Sequence, residues 1–417
     1  MRTDRILVGI TMMLLLALPA AASDYTLGVF GNANEDETIN MQDVTYTELI
    51  ILEYRDRTEL SDAKHDSKIN MQDVTQIELV ILGKEKELTI VDDTGDAVTV
   101  QKPIERFVYH GHNSYVYETL RAIDAADGII GISHRFTDPN GYRYSEAYYP
   151  ELCGLTNVGV LKTPDYEVVN TLRPDVVISD EERYYDRTKT PGIPVVAMDV
   201  RLANFREATM KFGYIFNNVE GVEEYIDWYN GWEDEIGERI EGLTDDDKQL
   251  VYIGSYKPGT TSFQVPARDN YRAEMVHRAG GDYIGDEIDG DGMINVDAEW
   301  VITRNPDVII FSAGVEYASY DVEDPSEAIA LIDDFTSRPD VAGINAVKNN
   351  RVYVVSHAFI LCGGASGLIG TTYYAKWLYP DLFADMDATA MHQEFVTRFQ
   401  RIDLDLENCY CVYPQPT

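Results

Sequence analysis

The chain has 417 residues, 45% of them hydrophobic, which is enough for a substantial core and more than one ordinary domain. Its formal net charge is −38, so it has no basic surface for nucleic acid or for an anionic membrane face. Aromatic residues are plentiful, led by 28 Tyr, which suits a cleft that stacks on flat or apolar ligands.

In chain order, Arg2 and Arg5 precede an apolar run from Ile6 to Leu18, then Pro19 and Ala20-Ala21-Ala22. That pattern predicts a secretory signal peptide over 1–22 and an extracytoplasmic mature protein, periplasmic or held at the cell surface. No Cys follows the run, so no lipid anchor is expected at that site, and no later stretch reaches the ~18 apolar residues of a membrane span.

Residues 23–86 form a first small domain. Ile39-Asn40-Met41-Gln42-Asp43-Val44-Thr45 recurs 30 residues on as Ile69-Asn70-Met71-Gln72-Asp73-Val74-Thr75. Each copy closes a window with oxygen-bearing side chains at alternate positions. The first holds Asn32, Asn34, Asp36, Thr38, Asn40 and Asp43; the second holds Asp62, Lys64, Asp66, Lys68, Asn70 and Asp73. Alternation of this kind wraps oxygens around a hard cation, with the seventh position (Thr38, Lys68) giving only its carbonyl. Apolar helices are expected over Val44–Leu52 and Val74–Leu82. The segment resembles a type I dockerin, which implies an all-α domain, one or two bound calcium ions and a cohesin-like partner. It departs from that pattern at the sharp turn, where Glu37 and Ser67 replace Gly, and at Lys64, which brings a positive charge to a ligand position.

From residue 87 the pattern changes to α/β. Alternating apolar residues flank a turn at Asp92–Asp96, and Phe107-Val108-Tyr109 starts a sheet. A helix is expected over Ser114–Ile123 and a strand over Ile129–Ile132. Then EVVNTLRPDVVI at Glu167–Ile178 recurs as EWVITRNPDVII at Glu299–Ile310, a Glu-led helical turn, Pro-Asp and a wholly apolar strand each time. Such a strand is buried on both faces of a parallel sheet, so one α/β lobe is built twice. Between the copies, apolar residues from Phe205 to Ile240 fall at helical spacing and predict one long helix. Further strands are expected at Val176–Ser179, Val195–Met198, Leu250–Ile253, Val308–Phe311 and Val352–Val355, with a closing helix at Leu368–Trp377.

These segments resemble, over residues 87–400, the class III substrate-binding proteins of ABC importers, the iron-siderophore and vitamin B12 type. The resemblance is carried by VDDTGDAVTVQKPIERFV, DGIIGIS, PDYEVVNTLRPDVVIS, GIPVV, VYIGSY, RAGG, DAEWVITRNPDVII, AVKNNRVYVV and YYAKWLYPDLF. It implies two Rossmann-like lobes (about 87–203 and about 248–417) joined by one rigid helix (about 204–242). It further implies a metal chelate in the cleft: iron-siderophore, corrinoid or haem. One Glu per lobe, here Glu167 and Glu299, would pair with Arg residues on an ABC permease in the membrane. Exposed carboxylates placed this way give orientation and steering more than affinity.

Ligands of open α/β sheets lie beyond the strands' carboxyl ends. Those ends carry Tyr109, His110, His112 and Asn113; His134 and Arg135; Asp180 and Glu181 with Tyr184 and Tyr185; Ser255, Tyr256 and Lys257; Ser312; and His357. Four of the seven His residues fall there, as polar lining or as metal ligands, and Arg135 and Lys257 are placed to meet carboxylates of an acidic chelate. No nucleophile–base–acid set calls for an enzyme, although clustered His would support a chelatase on the same fold. A scaffold led by the small domain is the other alternative. Glu287, Asp289, Asp291 and Gly292 lie in a calcium-like register, but Ala298 stands where the closing ligand belongs, so an acidic surface loop is expected. Cys153, Cys362, Cys409 and Cys411 allow three disulfide pairings, and the close thiols of Cys409 and Cys411 could alternatively hold a soft metal.

Overall fold

The computed structural model describes residues 25–140, 144–180, 182–360 and 363–416; the segment read as a signal peptide, Glu181 and Cys362 lie outside them. The chain divides between Glu85 and Lys86 into two compact units.

In the smaller unit, helices α1 (Met41–Ile51) and α2 (Met71–Ile81) begin three residues before the expected starts. Asn40 and Asn70 are the N-caps, and Asp43 and Asp73 complete capping boxes, so the last loop residues belong to the first helical turn. The two loops share their main hydrogen bonds. Asp43 accepts from the amides of Asn34 (3.1 Å) and Asn40 (2.8 Å), as Asp73 does from Lys64 (3.0 Å) and Asn70 (2.8 Å). Asp36 and Asp66 accept from Thr38 and Lys68 at 2.9 and 3.0 Å.

The larger unit opens with an antiparallel hairpin, β1 (Glu87–Val91) and β2 (Ala97–Gln101). Its first lobe is a parallel five-stranded sheet of β3 (Phe107–His110), β4 (Ile129–Ile132), β5 (Thr156–Asn157), β6 (Val176–Ser179) and β7 (Val195–Ala197), ordered β5-β4-β3-β6-β7. Helix α3 (Ser114–Ala122), the short α4 (His134–Thr137) and α5 (Tyr166–Leu172) connect them. Val176, Val177 and Ile178 have no exposed surface, as a strand covered on both faces requires. Each such side chain stabilises the fold by roughly 1.5–3 kcal/mol.

The stretch expected as one helix is instead a helical hairpin, α6 (Phe205–Phe216) and α7 (Val219–Ile240). Asn217 ends α6 in the left-handed region at φ 58°, a conformation Asn tolerates, and Asn218 caps α7. The apolar periodicity runs through the break because both helices bury a face, and against each other. Phe205 stacks on Tyr229 at 3.9 Å, two residues that one continuous helix would hold about 36 Å apart. Helix α7 and its cap contact both lobes. The Asn218 amide donates to the Ile123 carbonyl of the first lobe at 2.9 Å, and Glu233 pairs with Arg278 of the second.

The second lobe has β8 (Leu250–Tyr256), β9 (Ser262–Pro266), β10 (Asp282–Tyr283), β11 (Met293–Asp297), β12 (Val308–Ala313), β13 (Val352–Ser356) and β14 (Val412–Tyr413). The order is β11-β9-β8-β12-β13-β14 with β10 paired to β8; β8, β10, β12 and β13 are parallel and the rest antiparallel. Its helices include α8 (Tyr271–Arg278), α9 (Ala298–Arg304) and α10 (Gly364–Leu378). The β9–β11 ribbon was not expected, because its two short strands pair across an intervening helix and strand and no local pattern announces that pairing. The acidic stretch inside it is tied by ion pairs, Arg304 to Glu287 and Arg268 to Asp289 (2.9 Å), consistent with a surface loop. Cys153, Cys409 and Cys411 are free thiols.

The lobes also meet directly. Tyr148 stacks on Tyr320 at 3.9 Å, and Glu118 accepts from Tyr149 (2.9 Å) and from Ser366. A Phe205→Ala change empties the α6–α7 contact and should cost about 3–5 kcal/mol, read as an earlier urea midpoint for the larger unit; an unchanged midpoint would contradict the hairpin.

Candidate ligand cleft and docking helices

Strand alternation sorts the predicted residues. Along β3, Tyr109 turns towards α3 and His110 to the opposite face, which Val108 shares with Val177 and Tyr185. His110 has no exposed surface, packs on Tyr185 at 5.0 Å, and burial pulls its pKa down to about 4. It is a neutral imidazole inside the first lobe, and Tyr185 is buried beside it. Tyr184 is partly exposed, under the cations of Arg183 and Lys162. His134 pairs with Asp138 at 2.9 Å on the turn of α4.

The β3–α3 turn hangs on one carboxylate. Asp180, at the end of β6, accepts from the Tyr109 hydroxyl (2.7 Å) and from the amides of His112 (3.0 Å) and Asn113 (2.8 Å). Asn113 sits at the N-cap of α3 without a side-chain cap bond, so Asp180 supplies the acceptor nearby. Gly111 makes this possible, because a Cβ there would fall 2.5 Å from the Asp180 carboxyl. Burial, with Asp199 close by, pushes the Asp180 carboxyl up to about 7 against the pull of those hydrogen bonds.

In the second lobe, Ser312 and His357 come together at the carboxyl ends of β12 and β13, Oγ to Nδ1 at 2.7 Å. Ser255 at the end of β8 donates to the Ser312 carbonyl at 3.4 Å. Arg272, in the first turn of α8, reaches the same imidazole, Nη2 at 3.0 Å from Nδ1 and 3.2 Å from Nε2. Burial first, and then the charge of Arg135 from the opposite lobe, pull the His357 pKa down to about 4. Ser114 of α3 donates to the Ala358 carbonyl at 3.2 Å, so His357 lies where the two lobes meet. Tyr256 is not in this group. It faces away from Ser255, stacks on Phe263 and Phe311 and donates to Asp334 at 2.5 Å; Lys257 beside it is exposed. Arg272 escaped the sequence reading because the ribbon that leads into its helix was not foreseen.

The duplicated helices α5 and α9 match in detail. Asp165 and Asp297 are their N-caps, accepting from Val168 (3.0 Å) and Trp300 (2.8 Å). The Glu therefore stands second in the helix rather than opening it. Arg173 and Asn305 end them, both at φ 51°. Glu167 and Glu299 are exposed, each on the rim of a shallow surface pocket, with Arg106 and Arg173 around one and Trp300 and Arg304 around the other.

Residues 112–358 match the family model described as "Periplasmic binding protein". Among curated proteins, the Fe(3+)-citrate-binding protein YfmC of Bacillus subtilis (strain 168) is 24% identical over 202 residues, 48% of this chain and 58% of that protein. The chain thus spans little more than half of that relative. The uncharacterized ABC transporter substrate-binding lipoprotein YvrC of the same organism is 23% identical over 314 residues, 72% of this chain and 87% of that one. Among solved structures, the TroA-like periplasmic binding protein FepB from Veillonella parvula matches with a TM-score of 0.66 at 23% identity, covering 78% of this chain and 98% of that one. The molybdate-binding MolA of Haemophilus influenzae matches at 0.61 and 19% identity, covering 76% and 99%. These structural likenesses show the fold.

Because the folded state holds the Asp180 proton up to about pH 7 while an unfolded chain releases it near 3.8, this group lowers stability as pH rises between those values and has no effect below them. Relative to Asp180→Asn, the wild-type melting temperature should therefore fall from pH 5 to pH 7.5; a difference independent of pH would refute the assignment.

Proposed function

Since this chain belongs to the periplasmic binding protein family, we propose that it is the extracytoplasmic substrate-binding component of an ABC importer, capturing a metal chelate between its lobes and delivering it to a membrane permease. The observation that carries this reading is the duplicated Asp-x-Glu helix. One copy stands on each lobe, each with an exposed carboxylate in the same helical position, while polar groups gather at the strand ends where the lobes meet. A docking surface needs such outward charges, and a cleft needs such inward polar groups. The bridging helix α7 and the direct interlobe contacts support small closure around the ligand. Iron-siderophore, corrinoid and haem are the cargo the resemblance implies, and YfmC, as its name has it, binds ferric citrate. His112, Asn113, Arg135, Ser312 and His357 are the predicted residues best placed for it.

The smaller unit is proposed to bind calcium and a cohesin-like partner. What favours a cation at the first loop is the Asp43 carboxyl, which takes the Asn34 and Asn40 amides and is pushed up to about 6 by burial, with Asp36 adding to it. A cation would relieve that cost. Lys64 stands among the donors of the second loop, so that site is the weaker one. Met41 and Met71, and Leu52 and Leu82, are exposed in duplicate at the two ends of α1 and α2, an apolar pattern that favours a partner surface.

Two outcomes are expected. Reversing both docking carboxylates, Glu167→Arg with Glu299→Arg, should abolish uptake of labelled chelate by cells while leaving binding by the purified protein unchanged; continued uptake would remove the docking role. Calcium added to the chelator-treated full chain should stabilise the smaller unit by about 2.7 kcal/mol at a hundredfold excess over Kd. Asp43→Ala should remove most of that shift and Asp73→Ala little of it, read by circular dichroism melting with and without the ion.

A further inference from the structure

Cys409 and Cys411 are a chemistry-bearing pair that the cleft and the docking helices leave unused. They flank Tyr410 just ahead of β14, both thiols are free, and the residues are only 3% and 4% exposed. The two thiols interact. Cys411 donates to Cys409 and so holds the Cys409 thiol below its ordinary range, while burial first, and then the same bond, push Cys411 up. One thiol is thus the readier nucleophile and the other its near partner, the asymmetry that thiol–disulfide exchange uses. The segment is held on two sides. The Tyr410 amide donates to the Val322 carbonyl at 2.9 Å, and the Ser319 amide donates to the Tyr410 carbonyl at 3.0 Å. On the other side the Ser356 amide, next to His357, donates to the Cys411 carbonyl at 2.8 Å. The first of these neighbours reaches the opposite lobe: Tyr320 stacks on Tyr148, and Asp321 accepts from the Ala147 amide at 3.1 Å.

Cys409 is extended, at φ −142° and ψ 159°. Residues two apart on an extended segment stand about 6.6–6.8 Å apart, the upper limit of what a disulfide spans. Joining the two sulfurs therefore bends the backbone at Tyr410, and that is the residue bridged to Ser319 and Val322. We propose that Cys409 and Cys411 are a reversible redox site: they close to a disulfide across Tyr410, and closure releases the bridge to residues 319–322, passing the redox state of the surroundings to the lobe junction. The Cys409 thiolate attacks one sulfur of a small-molecule disulfide and expels its other half as a thiolate. Cys411 then loses its proton and attacks the Cys409 sulfur, expelling the second half. The two protein thiols give up two electrons and two protons, and one small disulfide becomes two thiols. A disulfide strained by so small a ring is among the readily reduced ones, which makes the site a switch rather than a permanent staple. Oxidants of this class are met outside the cytoplasm, where the substrate-binding reading puts the chain, but the chemistry itself stands apart from that reading and from the cargo.

The test equilibrates the purified full chain in glutathione buffers from reduced to oxidised, blocks free thiols with N-ethylmaleimide and maps the peptides. The tryptic peptide that follows Arg401, residues 402–417, carries Cys409 and Cys411 and no other cysteine. It should pass reversibly from doubly alkylated to unalkylated and lighter by the two lost hydrogens. In the same samples, amide hydrogen exchange over residues 319–322 should quicken by at least about tenfold on oxidation. Cys411→Ser should abolish ring closure; both main readouts come from the unaltered chain, so a variant that fails to fold does not spoil the test. A peptide that stays doubly alkylated in oxidised buffer, or that is joined to another cysteine, would overturn the redox site. Closure with unchanged exchange over residues 319–322 would overturn its link to the lobe junction and leave a plain staple. Either failure leaves the transport reading standing.

Discussion

A parallel strand buried on both faces needs cover on both, and the larger unit follows from meeting that need twice. Val176–Ser179 and Val308–Ala313 have almost no exposed surface, so helices must lie above and below each sheet. With the flanks closed, polar groups can gather only at the strand ends. The carboxyl ends in each lobe carry polar groups: Asp180 with the His112–Asn113 turn in one, Ser312 and His357 in the other, with Arg272 of α8 reaching His357. The site is a consequence of how the core is covered.

Buried ionisable groups are treated in two ways in this chain. Asp180 is desolvated but given three donors, and it fixes the turn it holds. Arg272 is desolvated and given neutral neighbours only. A hydrogen-bonded buried carboxyl group rigidifies the turn it holds.

Much of the fold was legible because it rests on patterns local to the chain. The apolar strands after Pro174-Asp175 and Pro306-Asp307 and the loop repeat around Asp43 and Asp73 are one-dimensional signals. The hairpin of α6 and α7 was not, because both helices bury a face at the same period, and only the left-handed turn at Asn217 separates them. The β9–β11 ribbon was missed because its strands pair across α8 and β10, a contact no local pattern announces. With it went Arg272, whose helix follows β9 directly.

The sequence by itself determined the doubled α/β lobe, the two Glu-bearing helices and the repeated loops, since periodicity and repetition need no knowledge of distant contacts. Only the tertiary structure decided which polar residues share a site. Strand alternation sent His110 and Tyr256 away from the group that holds Ser312 and His357, and packing between lobes brought Arg135 towards His357. Burial and pairing of charge depend on residues far apart in the sequence, so that information lies in the packed chain and not in any window of it.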